Sequence, residues 1–162
     1  SNKLTVIDKW APYLLDTKEN RFSINMNSFH RVAINSLLNI IKNKNLDDSV
    51  NIYRGDSKNI LPVLQDKLYD IIYIDGDHTY KNVNFEIREA RRLIKPGGII
   101  AGDDLEVPLT DLSVNFLRKN RSLEFITNEK GQAIHPGVAL AVLENFSSKS
   151  INQKNGFWYV FC

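Results

Sequence analysis

The sequence predicts an α/β fold built on an open, mostly parallel sheet with flanking helices and an antiparallel closing strand. Three observations predict it. The apolar run Tyr69 to Ile74 passes directly into Asp75-Gly76-Asp77-His78-Thr79-Tyr80, and one helix later Ile99 to Ala101 passes into Gly102-Asp103-Asp104. Along the chain the apolar period switches repeatedly between strand and helix spacing, in the order strand, helix, strand, helix, strand, helix, strand. Acids delivered to the carboxyl ends of neighbouring strands stand where open α/β sheets bind ligands.

Taken in order, Leu4 to Ile7 reads as a short strand ended by Asp8-Lys9-Trp10-Ala11-Pro12. Residues 13 to 27 are polar and aperiodic, and read as loop or short helix. From Ser28 onward Phe29, Val32, Ala33, Leu37, Ile40 and Ile41 recur at helical spacing, with Asn27 or Ser28 placed to cap the first turn. Val50 to Tyr53 is a strand that meets Arg54-Gly55-Asp56-Ser57, and Ile60 to Leu68 suits a short helix with Pro62 in its first turn. Tyr69 to Ile74 is expected to be the central buried strand. Val83, Ile87, Ala90 and Ile94 give the next helix its inward stripe, and Lys95-Pro96-Gly97-Gly98 should stop it, because glycine enters left-handed geometry at little cost. Ile99 to Ala101 is another buried strand. A helix around Leu112 to Leu117, a strand-like Leu123 to Thr127 and the turn Asn128-Glu129-Lys130-Gly131 make residues 105 to 134 an insertion or lid above the site. His135-Pro136-Gly137 opens a helix through Phe146, and Gly156 to Phe161 is a closing aromatic strand at a sheet edge.

The 162 residues suffice for one domain with a sizeable core, and 43% hydrophobic residues exclude a disordered chain. With 21 basic and 19 acidic groups the formal charge is +2, and Lys42, Lys44 and Lys58 are scattered among acids, so no nucleic-acid partner is implied. Cys162 is the one cysteine, which excludes an internal disulfide framework and suits a reducing compartment. The longest apolar runs are strand-sized and no charged leader with an apolar core opens the chain, so no membrane partner is expected and the expected setting is cytoplasmic. Oligomeric state leaves no signature in the composition.

Asp8 stands at a strand end, where a carboxylate accepts two hydrogen bonds from a ribose; capping the turn before Pro12 is the other use open to it. Trp10 either covers a bound cofactor or closes the core, and Asp56 either contacts a ligand or caps the helix that follows. Asp75, Asp103 and Asp104 follow adjacent strands and offer hard oxygen ligands to one octahedral ion, which favours magnesium over zinc; in the alternative Asp103 and Asp104 cap their loop while Asp75 orients a bound cofactor or a backbone turn, and Asp75 is counted with the catalytic and cofactor-binding candidates as well as the metal ligands. Asp77, two residues beyond Asp75, is a substitute ligand. His78 is the leading general base, since a neutral imidazole can take a hydroxyl proton; it could instead pin its loop. His135 opens a helix from which it can descend onto substrate, and His30 reads as structural or surface. For Tyr80, packing over the loop and binding substrate both stay open. Gly-Asp-Asp also occurs in polymerase palms, but those require an antiparallel hairpin and a large nucleic-acid cleft.

Val6-Ile7-Asp8, Arg54-Gly55-Asp56-Ser57, the turn from Ile74 to Tyr80, Lys95-Pro96-Gly97-Gly98, Gly102-Asp103-Asp104, His135-Pro136-Gly137-Val138 and Gly156-Phe157-Trp158 occur in an order and spacing that span nearly the whole chain. In that order the chain resembles the class I S-adenosylmethionine-dependent methyltransferases of the group acting on small molecules, O-methyltransferases among them. The resemblance implies a Rossmann-like methyltransferase sheet and S-adenosylmethionine as cofactor. It implies that Asp8, ending the family's second strand, receives the ribose hydroxyls, and that Asp56, with Ser57 beside it, approaches the adenine amine. Related enzymes often carry a histidine where His78 stands. The family begins one strand and one helix earlier, with a glycine-rich loop for the methionine part of the cofactor. No such loop precedes residue 8, so the domain is expected to be N-terminally incomplete.

The chemistry that follows is in-line transfer of a sulfonium methyl to a hydroxyl of a sugar, polyol or natural product, with a magnesium ion orienting the acceptor and His78 taking the proton. Two other classes compete with it. One is an incomplete or noncatalytic cofactor-binding module, and the other is a nicotinamide-dependent oxidoreductase or metal-dependent hydrolase.

Overall fold

Leu4–Asp8 (β1) and Val50–Arg54 (β2) run parallel and in register, from Leu4 opposite Val50 to Asp8 opposite Arg54. The ladder extends past both ends, because the Leu4 amide donates to the Ser49 carbonyl at 2.8 Å and the Gly55 amide to the Asp8 carbonyl at 2.9 Å. In this computed structural model residues 3–11, 26–128 and 131–162 are described, and the chain divides into two compact units, residues 1–60 and 61–162. The expected loop or short helix over residues 13 to 27 falls outside the described residues up to residue 25, as do Glu129 and Lys130 of the expected turn.

Between the two strands of the first unit, Met26–Asn43 forms α1. Asn27 and Ser28 lie within it, so neither is the residue that precedes its first turn. The helix closes through the Leu46 amide, which donates to the Ile41 carbonyl at 2.9 Å, around Asn45 in left-handed geometry at φ 52°. Its expected inward stripe is half right. Ile41 is buried and Ala33 and Leu37 are half-buried, one row at i, i+4 and i+8 with the half-buried Ile34 beside it, but Phe29, Val32 and Ile40 are exposed. The apolar arc is wider than a single row of helix-face positions, and only one edge of it is buried. The expected helix over Ile60 to Leu68 is instead one α-turn, Ser57–Ile60 (α2), followed by a 3-10 turn over Leu61–Val63. Asp56 starts α2 by accepting the amides of Asn59 and Ile60 on its carbonyl and that of Lys58 on its side chain.

The second unit is built on a four-stranded sheet of Tyr69–Ile74 (β3), Ile94–Leu105 (β4), Asn152–Lys154 (β7) and Gly156–Phe161 (β8), in the order β3-β4-β8-β7. β3 and β4 are parallel; β8 is antiparallel to both β4 and β7. Two expectations change here. β7 takes the sheet edge, so β8 is internal, and β3 is the other edge of this sheet, with Ile71 and Tyr73 exposed on the face opposite Ile72 and Ile74. Tyr80–Leu93 (α3) buries Val83, Ile87, Ala90 and Leu93, but ends before the Lys95-Pro96-Gly97-Gly98 segment. Those residues already belong to β4, where Gly97 takes φ +81° and donates its amide to the Cys162 carbonyl.

Val114–Asn120 (α4), the hairpin of Ile126–Thr127 (β5) with Ala133–Ile134 (β6), and Pro136–Asn145 (α5) complete the unit. One core joins α3, β4, α4, α5 and β8 through Ile87, Ile100, Leu117, Leu140, Val142 and Trp158. Leu105 and Leu117 belong to this core, with Leu109 and Leu112 packed against it, and Val107 and Ile134 are also buried, so residues 105 to 134 contribute to the packing of the unit. α5 begins at Pro136, as its sequence predicts.

Candidate active site

The β3 strand ends at Ile74, and Asp75 to Thr79 turn the chain into α3. Asp77 holds that turn together: its Oδ1 accepts the Thr79 amide at 2.8 Å, and its Oδ2 accepts from the Asn82 side-chain amide. Each of its oxygens thus already accepts one donor within the turn. Tyr80 docks α3 against α5, donating its hydroxyl to Glu144 at 2.6 Å while its amide donates to the Arg121 carbonyl at 3.0 Å. Of the two uses the sequence left open for Tyr80, packing is the one its contacts serve.

At the neighbouring strand, Asp103 accepts the Asp104 amide on Oδ1 at 3.0 Å and the Tyr73 hydroxyl on Oδ2 at 3.4 Å, while its carbonyl accepts Trp158 Nε1–H at 3.1 Å. Asp104 sits in left-handed geometry at φ 69°, strained for a residue with a Cβ. The first turn of α5 approaches from the other side. A Cβ on Gly137 would lie 2.2 Å from the His78 carbonyl oxygen and 2.4 Å from the Tyr80 amide nitrogen, so only glycine lets the helix come this close.

Three elements thereby bring together His78, Asp104 and His135, whose ligand-capable atoms all lie within 4.8 Å of one another. His78 Nε2 is 2.8 Å from Asp104 Oδ2, His135 Nδ1 is 3.7 Å from Asp104 Oδ1, and the two imidazoles meet edge to face at 4.8 Å. Glu124 Oε1 lies 2.7 Å from His78 Nδ1, and Glu106 Oε2 lies 3.2 Å from His135 Nδ1. The His78–Glu124 approach is close but off the direction of the ring N–H, since Nδ1 finds no aligned hydrogen-bond acceptor; it is a charge contact. Ile74, Asp75, His78, Asp103, Asp104 and Trp158 line one small cavity.

Burial alone would lower the proton affinity of His78, but the carboxylates of Asp104 and Glu124 outweigh it and carry the imidazole up to about 10. At neutral pH, in the absence of a cation, the ring is therefore an imidazolium. A general base acts from the neutral ring, and the two acids beside His78 favour the protonated one. Burial pulls the Asp104 carboxyl upward, yet the hydrogen bond and charge of His78 leave it below its usual range. Asp75 is raised, first by burial and then by the charge of Asp104.

In the first unit the expected cofactor residues close their own turns. Asp8, exposed at the end of β1, accepts the Trp10 amide on Oδ1, and Trp10 is buried at φ 44°. Asp56 Oδ2 is 2.8 Å from Lys9 Nζ, and this ion pair, with the Lys58 amide, holds its carboxyl below the usual range; Ser57 begins α2 beside it. His30 is half-buried on α1. Glu106 and Glu124 escaped the sequence reading. Glu106 lies two residues beyond Asp104 and was findable by that proximity, whereas Glu124 reaches His78 only because residues 105 to 134 fold back.

Residues 2–105 match the family described as a methyltransferase domain. The chain belongs to that family. No curated protein matches the chain in sequence. Among solved structures, a Corynebacterium glutamicum protein is 13% identical with a TM-score of 0.54, covering 98% of this chain and 60% of its own. A candidate O-methyltransferase from Klebsiella pneumoniae is 18% identical with a TM-score of 0.52, over 82% of this chain and 57% of its own. A candidate caffeoyl-CoA O-methyltransferase from Staphylococcus aureus is 13% identical with a TM-score of 0.53, over 99% of this chain and 75% of its own. The methyltransferase domain thus has the class I, small-molecule O-methyltransferase-like fold, and spans less than two thirds of the first two of these structures. Among its described residues no helix is long and apolar enough to cross a membrane.

Proposed function

We propose that this methyltransferase domain serves transfer of the methyl group of S-adenosylmethionine to a hydroxyl oxygen of a small molecule such as a sugar, polyol or natural product. The observation that carries the reading is the pair of strand-end acids in the first unit: β1 and β2 are parallel and in register, and Asp8 and Asp56 follow at their carboxyl ends. The residues fit the cofactor. The exposed Asp8 carboxylate keeps lone pairs beyond the one given to the Trp10 amide, and these accept ribose hydroxyls. Asp56, with Ser57 beside it, receives the adenine amine, and Trp10 backs the turn from inside. When bound, S-adenosylmethionine supplies a methyl on a positively charged sulfur, an electrophile open to an oxygen lone pair.

The proton of the acceptor hydroxyl goes to a carboxylate oxygen of Asp75. Its raised proton affinity makes it a better base than an ordinary aspartate, and it stands at the end of β3 beside the histidine cluster. His78, Asp104 and His135 form the fixed wall against which the acceptor is oriented. Magnesium fits less well than the run of three acids promises. It asks for oxygen donors throughout, and the group that converges contains two imidazoles while Asp103 is taken by its own neighbours, so no step is routed through it. The cytoplasm remains the proposed setting, on cysteine usage alone.

Calorimetric titration with S-adenosylhomocysteine, followed by labelled methyl transfer to a panel of sugars, polyols and phenols, tests the reading. Binding with transfer to at least one hydroxyl acceptor is the expected result. Absence of both rejects it.

A further inference from the structure

We propose that His78, Asp104 and His135 form a binding site for a borderline divalent transition-metal ion of the zinc and cobalt kind, in place of an all-oxygen magnesium cage. The proposal concerns the same site as the methyl-transfer reading but does not depend on it, because binding is read directly. The donor set decides the metal class: imidazole nitrogen suits zinc, cobalt and iron, whereas magnesium holds to oxygen and water. Two imidazoles and one carboxylate, with ligand-capable atoms within 4.8 Å of one another, need only small side-chain rotations to close on one ion. Three protein ligands leave a position for water or for an acceptor oxygen.

The surroundings are those of a metal site as much as of an ion-pair network. Metal-binding histidines commonly place their second nitrogen against a carboxylate, which fixes the ring and raises its donor strength. Here Glu124 stands 2.7 Å from His78 Nδ1, as a charge contact on the nitrogen that does not face Asp104, while Glu106 stands 3.2 Å from His135 Nδ1, the nitrogen that also faces Asp104, as a further oxygen beside the three donors. The rings are held before any ion arrives. His78 follows the Asp77-braced turn, Asp104 is fixed in left-handed geometry, and His135 is carried on the first turn of a helix that Gly137 lets sit against the His78 carbonyl. That preorganisation lowers the ordering cost of binding.

Chelator-treated protein titrated with cobalt(II) should develop the visible absorption bands of a nitrogen- and oxygen-ligated ion, saturating at one ion per chain. Zinc should displace the cobalt with an affinity at least about 100-fold above that of magnesium, as the ligand softness requires. His78→Gln and His135→Gln should each weaken cobalt binding by about tenfold or more, with circular dichroism confirming the fold, while Asp75→Asn leaves the bands in place. Magnesium displacing cobalt at comparable concentration, or folded histidine variants that bind cobalt like the parent, overturns the site. Should a histidine variant fail to fold, Glu124→Gln and the zinc-to-magnesium ratio of the parent protein decide the matter. Cobalt binding through these residues without methyl transfer keeps the site and rejects the methyl-transfer reading. Transfer supported by magnesium alone, with no cobalt bands, does the opposite.

Discussion

Strand-end carboxylates occur in both units of the chain, and they are used in opposite ways. In residues 1–60, Asp8 and Asp56 each accept a backbone amide two residues ahead, so each acid closes its own turn. In residues 61–162, Asp104 is approached by histidines from two other elements, each of which has a second carboxylate against it. A self-contained acid keeps lone pairs for a neutral donor such as a hydroxyl. An acid locked among imidazoles is part of a charge array, and what such an array recognises is a cation. The position at the end of a strand says only that a ligand can arrive; the partners already held by the oxygens decide which ligand.

The largest effect that sharpens this contrast is on rate. Asp75→Asn removes the proton acceptor but leaves Asp8 and Asp56 untouched, so kcat should fall by about 100- to 10,000-fold with cofactor affinity unchanged. Steady-state kinetics together with calorimetry separate the two quantities. A variant that keeps its rate takes the proton-transfer role away from Asp75. Next in size is a stability effect at the joint that creates the charge array. Gly137→Ala forces a methyl group into the backbone of the His78–Tyr80 turn, so unfolding in denaturant should show a loss of about 3 kcal/mol. An alanine variant as stable as the parent would mean that α5 can back away, and that the histidine pair is not held by the helix.

How far the sequence reveals this arrangement follows from the range of the interactions involved. The β3 and β4 strands, the start of α5 at Pro136 and the inward row of α3 rest on local periodicity and turn chemistry, and all were legible. The acids Asp8, Asp56, Asp75 and Asp104 were legible for the same reason, since each follows an apolar run. Their partners were not. Glu124 reaches His78 across 46 residues of chain, and the left-handed twist at Asp104 has no marker such as glycine. The raised proton affinity of His78 was not legible either, because it is set by neighbours in space. The sheet edge moved from β8 to β7 because Asn152–Lys154 is too short and polar to read as a strand.

A smaller effect belongs to the first unit. Asp8→Asn keeps an oxygen for the Trp10 amide but gives up one acceptor, and a ribose presents two hydroxyls. Affinity for S-adenosylhomocysteine should fall about tenfold, the worth of a hydrogen bond to a charged group, while the cobalt bands of the second unit stay unchanged. An equal loss in both measurements would show that the two sets of acids do not act separately.

The smallest effect is the titration of Asp56. Lys9 and the Lys58 amide hold its carboxyl below the ordinary 3.8, so the contact contributes stability that is present above pH 3.8 and is lost as pH falls through the lower folded value. Both side chains are partly exposed, at 49% and 30%, so water and salt weaken the pair and the change in melting temperature should be slight. Carboxyl carbon shifts followed by NMR read it directly. Lys9→Ala should bring the Asp56 midpoint up toward its ordinary value, and added salt should do part of the same in the parent protein. If Asp56 titrates at one pH in both proteins, the Lys58 amide alone sets its acidity, and the acid is self-contained in a stricter sense than its ion pair suggests.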